Sequence, residues 1–319
     1  MRILVVGAGA IGGYFGGRLL QAGRDVTFLV RPKRAAQLAN FGLTIRSPHG
    51  DVILERPPTV LSENIHQPFD LVLLCCKAYD LEGAIIAFAP AVATETVILP
   101  LLNGMRHLDV LDARFGRPQV LGGKCLISVT VDEKGTVVHL SPVHALSFGE
   151  REVGISARAR GIASSIGGAL FDVDPSLHII QEMWEKWVLL SALAASTCLM
   201  RASIGIIVAS PSGRDVVLNI FSECCAIAEA AGYAPRGAFL EQARASLTAS
   251  GSPLTASMLR DIERHAPIEA EHIIGDLLRR RSGDDLDHSN RSALRIAYIH
   301  MKAYELRRAE ILNGPASNK

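Results

Sequence analysis

One lysine stands at the start of an otherwise apolar helical stretch. The segment WEKWVLLSALAAST, residues 184–197, contains no Gly or Pro and places Glu185 and Lys186 between two tryptophans. Such a lysine either lies on the solvated side of an ordinary core helix or faces a cleft. In a cleft, an ammonium group can protonate a substrate and stabilise a developing negative charge. The segment alone leaves both interpretations open.

A glycine-rich segment near the N-terminus predicts a dinucleotide site. Gly7, Gly9 and Gly12 directly follow the apolar run MRILVV and open a helical segment. In this context the first glycine makes the tight turn, the second lets the backbone approach a pyrophosphate, and the third allows close packing of helix and strand. The alternative is a glycine-rich turn without a ligand. The predicted phosphate-binding loop comprises Gly7, Ala8, Gly9, Ala10, Ile11 and Gly12.

The residue after the second strand-like run indicates which dinucleotide is bound. An Asp or Glu there would bind a free ribose 2′-hydroxyl, but the run ends in FLVRPKR. Arg31 can bind a 2′-phosphate through charge-assisted hydrogen bonds, which an acid would repel. Lys33 and Arg34 either add to this positive field or are simply solvated. The sequence therefore favours NADP over NAD.

The order of the predicted elements gives the fold class. Apolar strands alternate with helical segments in the first half, which predicts an α/β fold with a parallel, doubly wound sheet. The late runs QVLGGKCLISVTV, TVVHLSP and ALSFGE predict three further strands, close enough in sequence to be antiparallel. From about Ile179 onward the patterns are helical. We place the domain boundary near Asp174-Pro175, giving domains 1–175 and 176–319.

Composition restricts the class of protein. The chain has 319 residues, 49% of them hydrophobic, and a net charge of +1. This balance is typical of a globular protein and argues against a nucleic-acid partner, and no apolar run is long enough to span a membrane. Six cysteines occur without CxxC or Cys/His metal spacing, so no metal site is predicted and a reduced, cytoplasmic location is expected. Residue 1 leads directly into a strand, so no signal peptide is expected.

The chain resembles the ketopantoate reductase (2-dehydropantoate 2-reductase) family along nearly its whole length. The resemblance rests on GAGAIGG, Arg31, CCKAYD, LLNG, WEKW, SMLRDI and EAEHIIGDLL, in this order. It implies a Rossmann-type domain followed by an all-α domain of the 6-phosphogluconate dehydrogenase C-terminal type, with the active site in the cleft between them. It further implies NADPH-dependent reduction of ketopantoate to pantoate, a step of pantothenate biosynthesis, and allows a homodimer.

The resemblance also implies roles for single residues. Lys186 would be the general acid, Lys77 and Asn103 would border the nicotinamide and the substrate, and Ser257 would bind the substrate carboxylate. Glu269 would hold the substrate hydroxyl, the nicotinamide-ribose region or the catalytic lysine. Structural alternatives remain: a strand-end charge for Lys77, an Asn-Gly turn for Asn103, a helix N-cap for Ser257 and a solvated helix face for Glu269.

The substrate half departs from the family pattern. The family has asparagines four, eight and eighteen residues after the lysine, where this chain has Leu190, Ala194 and Ile204. Because eighteen residues of straight helix span about 27 Å, the chain must turn back before Ile204 if that residue is to reach the site. Lost amide side chains indicate either a 2-keto acid with a more apolar tail than ketopantoate or reduced efficiency with ketopantoate.

The sequence thus predicts an NADPH-dependent reductase of a 2-keto acid, most simply ketopantoate, that uses Lys186 as the proton donor. One alternative is a reductase of a more apolar 2-keto acid or a related hydroxyacid enzyme on the same fold. A second alternative, from a different class, is a non-catalytic NADP-binding sensor.

Overall fold

The computed structural model of the protein describes residues 1–281 and 292–313. The chain divides into two compact units, Met1–Met183 and Trp184–Lys319. The division falls within the helix α6 (Ile179–Met200). The sequence-based boundary at residue 175 stays a prediction.

The first unit contains a five-stranded parallel sheet with the order β5-β2-β1-β6-β7. The strands of the unit are β1 (Arg2–Val6), β2 (Asp25–Leu29), β3 (Leu43–Arg46), β4 (Val52–Leu54), β5 (Thr59–Val60), β6 (Leu71–Leu74), β7 (Val97–Pro100), β8 (Gly122–Val131), β9 (Val137–Gly149) and β10 (Asp172–Pro175). Helices α1 (Ala10–Gln21), α2 (Pro32–Phe41), α3 (Leu81–Phe88), α4 (Arg106–Phe115) and α5 (Ala157–Ile166) lie between them. Strands β1, β6 and β7 are almost entirely buried, as near-continuous apolar runs predict for a parallel sheet.

A second sheet has the order β10-β9-β3-β4, with β8 antiparallel to β9. The prediction of two separate strands for TVVHLSP and ALSFGE is wrong, because both belong to the single strand β9. Pro142 ends the first of these runs and has no N–H for a strand ladder. Instead, the β8–β9 pairing is irregular opposite this proline, between the pairs of Ile127 and Val129.

Glycines inside α1 bring this helix close to both sheets. A Cβ at Gly16 would lie 2.6 Å from the ring of Phe28 on β2, and one at Gly17 would lie 2.6 Å from Ile45 on β3. Glycine within a helix costs about 1 kcal/mol relative to alanine. Here the close approach buries Tyr14 and its neighbours in the core of the unit.

The second unit is helical throughout its described residues. Its helices after α6 are α7 (Ile204–Ala209), α8 (Gly213–Ala230), α9 (Gly237–Leu247), α10 (Ser257–Glu263), α11 (Asp276–Arg279) and α12 (Ala293–Asn313). A π-helical segment, Glu271–Gly275, directly precedes α11. The predicted fold class, a parallel-sheet N-terminal domain followed by an all-α domain, is confirmed. Within residues 1–281 and 292–313, no helix combines the length and the apolarity that a membrane span needs.

Candidate active site

The predicted phosphate-binding loop connects β1 to α1. Gly7 adopts φ +94° and its N–H donates to the Leu29 carbonyl at 2.9 Å. A Cβ at Gly12 would lie 2.0 Å from the Gly7 carbonyl oxygen, so the fold requires glycine there. A Cβ added to Gly9, which is the N-cap of α1, would have no packing neighbour within 4 Å. Packing therefore does not require glycine at this position, and the role of Gly9 in phosphate binding stays a prediction.

The parallel sheet aligns four predicted positions along its carboxyl edge. Arg31 follows β2, the glycine loop follows β1, Lys77 follows β6 and Asn103 follows β7. These strands are adjacent in the order β2-β1-β6-β7. At about 4.8 Å between neighbouring strands, the outer two are about 14 Å apart. Ligands of open α/β sheets bind at this edge, so the cofactor half of the predicted site is assembled within one unit.

Lys77 and Asn103 occupy structured turns rather than open loops. Lys77 is the N-cap of the 3-10 turn Ala78–Asp80, and Asn103 precedes Gly104, which has φ +80°. Both residues are half-buried. Asn103 therefore lies in a turn. The conformation of this turn depends on Gly104, so the Asn103 amide side chain remains a candidate for ligand binding.

Arg31 forms an ion pair that the sequence did not predict. Its Nη2 donates to Asp80 Oδ1 at 2.5 Å, although 75% of the Arg31 side chain is exposed. The hydrogen bond to Asp80 and its charge raise the pKa of the Arg31 guanidinium. Asp80 belongs to the CCKAYD motif, so an acidic group lies beside the residue expected to bind a 2′-phosphate.

Arg34 belongs to the cofactor edge and is not simply solvated. Its Nε donates to the carbonyl of Ala8 in the phosphate-binding loop at 3.0 Å, and its Nη1 donates to Gln37 Oε1 at 2.6 Å. Burial lowers the pKa of this guanidinium. A half-buried cation bound to the loop itself adds positive charge where phosphates are expected.

In the second unit, the neighbours of Lys186 are anchored on both sides. Glu185 is 5% exposed and accepts hydrogen bonds from the Arg236 side chain at 2.5 and 2.8 Å. Trp184 stacks on Tyr233, with ring centroids 5.3 Å apart. Lys186 itself is half-buried. These contacts explain the WEKW motif: the residues around the lysine anchor the second and third turns of α6.

Trp187 connects the lysine helix to the π-helical segment. Its indole N–H donates to the Ile273 carbonyl at 2.9 Å, and the Ser191 hydroxyl lies 3.5 Å from the same oxygen. Glu269 lies just before this segment, and its own carbonyl accepts from Ile273 N at 2.9 Å. Lys186 and Glu269 thus lie on elements that contact each other directly. Single-turn π segments are frequent at functional sites.

The remaining substrate positions are distributed along the second unit. Ser257 is exposed and is the first residue of α10, while Ala256 is the N-cap, so Ser257 does not cap this helix. Helix α6 ends at Met200 and α7 begins at Ile204, so the chain turns where the length argument required it.

The three apolar replacements differ in burial. Ala194 and Ile204 are buried, at 3% and 0% exposure. Leu190, one helical turn after Lys186, is half-buried.

Comparisons with known proteins agree with this arrangement. The family model described as ketopantoate reductase PanE/ApbA matches residues 3–152, and its C-terminal model matches residues 178–287. The chain belongs to the ketopantoate reductase family. It is 36% identical to the uncharacterized oxidoreductase YkpB of Bacillus subtilis, over 96% of this chain and 99% of that protein.

Solved structures share the fold of this family member. 2-Dehydropantoate 2-reductase from Methylococcus capsulatus has a TM-score of 0.82 and 28% identity, covering 99% of this chain and 100% of that one. D-mandelate dehydrogenase, solved with NADH and anilino(oxo)acetate, has a TM-score of 0.84 at 19% identity, covering 97% and 100% of the two chains. The protein is therefore an oxidoreductase of the ketopantoate reductase family.

Two features of this family member escaped the sequence analysis. Asp80 carried no signal, because only the fold brings the turn after β6 beside Arg31, 49 residues earlier in the chain. Arg34 was recognised only as a charge, since its contact with Ala8 depends on how α2 lies against the loop. The roles predicted for the glycine loop, Arg31, Lys77, Asn103, Lys186, Ser257 and Glu269 all stay predictions.

Proposed function

We propose that this protein is an NADPH-dependent reductase of a 2-keto acid, with ketopantoate as the leading candidate substrate. The observation that carries the proposal is the carboxyl edge of the parallel sheet, where the glycine loop, Lys77 and Asn103 follow neighbouring strands. The location of this edge fits a dinucleotide lying across the strand ends. All six cysteines are free thiols, which supports a reducing, cytoplasmic location, and homodimer formation is part of the same expectation.

The proposed chemistry needs one proton and one hydride. The bound nicotinamide would supply the hydride to the keto carbon, and Lys186 would protonate the oxygen. A positioned general acid is worth roughly 10²–10⁴ in rate. The ion pair of Glu185 and the indole hydrogen bond of Trp187 support this assignment, because they fix the backbone on both sides of the lysine.

The preference for NADPH rests on the two arginines at the cofactor edge. The fold does not select the cofactor, since D-mandelate dehydrogenase with the same fold holds NADH. Arg31 is exposed at the end of β2, and Arg34 is bound to the loop. Guanidinium groups bind phosphate oxygens in a bidentate manner, which favours the cofactor that carries the extra phosphate.

A second candidate substrate class is supported by Leu190. It lies one turn after Lys186 on the same helix face and is half-buried, where the family pattern has an amide. Ala194 and Ile204 are buried apolar residues. An apolar tail of a 2-keto acid would match Leu190 better than a hydroxyl group would.

A panel of 2-keto acids tests the proposal through the loss of NADPH absorbance. We expect turnover with ketopantoate or with an apolar 2-keto acid, and a loss of roughly 10²–10⁴ in kcat for Lys186→Ala. Lys186→Arg is the matched variant: it keeps the positive charge but is a poor proton donor, so it should stay slow.

Nucleotide binding, measured by NADPH fluorescence, should be retained in both variants. NADPH binding without turnover of any member of the panel would support the sensor and refute the reductase. A Lys186→Ala variant with wild-type kcat would refute the role of the lysine.

A further inference from the structure

Three histidines form a cluster in the second sheet, outside the proposed active site. His49 lies in the turn between β3 and β4, and His139 and His144 lie on β9. The ring centroids of His49 and His144 are 3.7 Å apart, and those of His139 and His144 are 5.6 Å apart. One ring nitrogen of each residue lies within 4.8 Å of the other two. We call these residues the imidazole cluster.

The irregularity in β9 brings two of these rings together. In a regular strand, residues five apart point to opposite faces and lie about 17 Å from each other. Here His139 pairs with Val129 and His144 pairs with Ile127. A step of five residues along β9 therefore lies opposite a step of only two residues along β8. The extra residues, which include Pro142, form a bulge. Bulges re-aim side chains and are frequent beside functional sites.

Carbonyl groups of the bulge orient two of the imidazoles. His49 Nε2 lies 2.6 Å from the Pro142 carbonyl oxygen, and His139 Nε2 lies 3.1 Å from the Val143 carbonyl oxygen. A carbonyl only accepts, so in both rings Nε2 carries the proton and Nδ1 carries the lone pair in the neutral form. Metal-binding histidines typically donate their second nitrogen to a carbonyl in this way.

The third imidazole is held by a buried tyrosine. Tyr14 Oη lies 2.7 Å from His144 Nδ1. In the tautomer in which Nδ1 donates to this oxygen, Nε2 of His144 carries the lone pair. The remaining polar contact is the Ser47 hydroxyl, 3.0 Å from His139 Nδ1. A metal ion bound to His139 Nδ1 would take the place of the hydrogen bond that the Ser47 hydroxyl donates to this nitrogen. Every ring of the cluster thus has one oriented nitrogen and one that can bind a metal.

Burial and nearby charge favour the neutral form of two of the imidazoles. Burial lowers the pKa of His139 and of His144, and the charges of His49 and Arg18 lower both further. The Val143 carbonyl acts in the opposite direction at His139, and Asp172 does so at His144. The neutral imidazole is the form that binds a metal.

We propose that the imidazole cluster binds one divalent transition-metal ion of the Zn²⁺ class, with three histidine ligands and a fourth position for water. Imidazole ligands suit Zn²⁺ and its neighbours, whereas Mg²⁺ and Ca²⁺ prefer oxygen. Around a tetrahedral ion at 2.0–2.1 Å, the nitrogens would be about 3.3 Å apart. The ring nitrogens must therefore close by about 1.5 Å from their present separation of up to 4.8 Å. The His49 ring, which now stacks on that of His144 at an interplanar angle of 15°, must also turn so that its lone pair points at the ion.

The exposed turn that carries His49 supplies this movement. His49 is exposed and is followed by Gly50, which has φ +95°. A bound ion would tie this turn to β9 and, through Tyr14, to α1, the helix that begins at the phosphate-binding loop. No metal-ligand spacing is visible in the sequence, because the ligands come from two segments about ninety residues apart.

The test uses the full chain, purified without a histidine tag and treated with chelator. We expect calorimetric titration with Zn²⁺ to give one ion per chain and a higher melting temperature. Titration with Co²⁺ should produce the visible absorption of a four-coordinate ion. His49→Ala should weaken Zn²⁺ binding by at least 100-fold. Tyr14→Phe, which keeps all three ligands, should weaken it by about 10- to 100-fold.

The matched control is His66→Ala, because His66 is an exposed histidine outside the cluster. Its Zn²⁺ affinity should equal that of the unmodified chain. Failure of the unmodified chain to bind Zn²⁺, or equal affinity in the His49→Ala variant, would overturn the proposal. Because Zn²⁺ binding is measured without substrate or nucleotide, the result does not depend on the proposed reductase activity.

Discussion

The ion pair between Arg31 and Asp80 predicts how the protein distinguishes NADPH from NADH. A hydrogen bond between charged groups is worth about 1.5–3 kcal/mol. In the free protein Arg31 is engaged by Asp80, and an exposed ion pair is worth about 0.2–1 kcal/mol. The net contribution of Arg31 to binding the 2′-phosphate is therefore about 0.5–2.8 kcal/mol. We expect Arg31→Ala to weaken NADPH binding by about 2- to 100-fold, with NADH binding unchanged.

Asp80 should oppose the same phosphate. A 2′-phosphate bound to Arg31 would lie about 6 Å from the Asp80 carboxylate. With a phosphate charge of about −1.5, the repulsion in water is about 1 kcal/mol. Asp80→Asn should therefore tighten NADPH binding by about 5-fold and leave NADH binding unchanged. The effect should shrink at high salt, since Arg31 is largely exposed.

Fluorescence titration of both nucleotides checks these values, with Glu63→Gln as the control for removing an exposed acid elsewhere in the unit. The two substitutions should have opposite effects, and both effects should be confined to NADPH. An Arg31→Ala variant that loses NADH and NADPH affinity equally would contradict it. So would an Asp80→Asn variant that binds NADPH more weakly than the unmodified chain.

Three further predictions concern packing. Gly12→Ala should lower the free energy of unfolding by about 3 kcal/mol, because its Cβ would lie 2.0 Å from the Gly7 carbonyl oxygen. Gly9→Ala should keep the melting temperature of the unmodified chain but lose nucleotide affinity, because a Cβ at Gly9 meets no neighbour. Equal melting of the two variants would show that the loop geometry is wrong. Trp187→Phe should lower the free energy of unfolding, measured by denaturant titration, by about 1–3 kcal/mol, because the buried Ile273 carbonyl loses its indole donor. Unchanged stability would exclude that hydrogen bond. Burial raises the pKa of Cys225 to about 11, so at pH 8 iodoacetamide should alkylate it about a hundredfold more slowly than an ordinary thiol, as mass mapping would detect.

The sequence predicted those parts of the fold that depend on local pattern. A strand, a glycine turn and a helix in succession predict the loop at residues 7–12, because each step depends on neighbouring residues. Apolar runs separated by helices likewise predict the parallel sheet. The helical second unit followed from the long periodic segments after Ile179.

The second sheet could not be predicted in the same way. Strand β3 pairs with β9 through Ile45 and Val137, residues far apart in the chain, and no local spacing indicates such a pairing. The same limit hid the ion pair of Arg31 with Asp80 and the histidine cluster. For the substrate positions the sequence identified the departures, but the burial of Ala194 and Ile204 depends on how helices pack.

The π-helical segment Glu271–Gly275 limits which changes of length this part of the chain tolerates. A π turn holds one residue more than an α turn, and each helical residue rotates the chain by about 100°. Deleting one residue here would let the segment form a regular α-helix. The Ile273 carbonyl would then accept a backbone N–H of that helix, and the indole of Trp187 would lose its acceptor. Residues on either side of the deletion would then face in new directions relative to each other. Single-residue deletions in this segment should therefore be far more harmful than conservative substitutions.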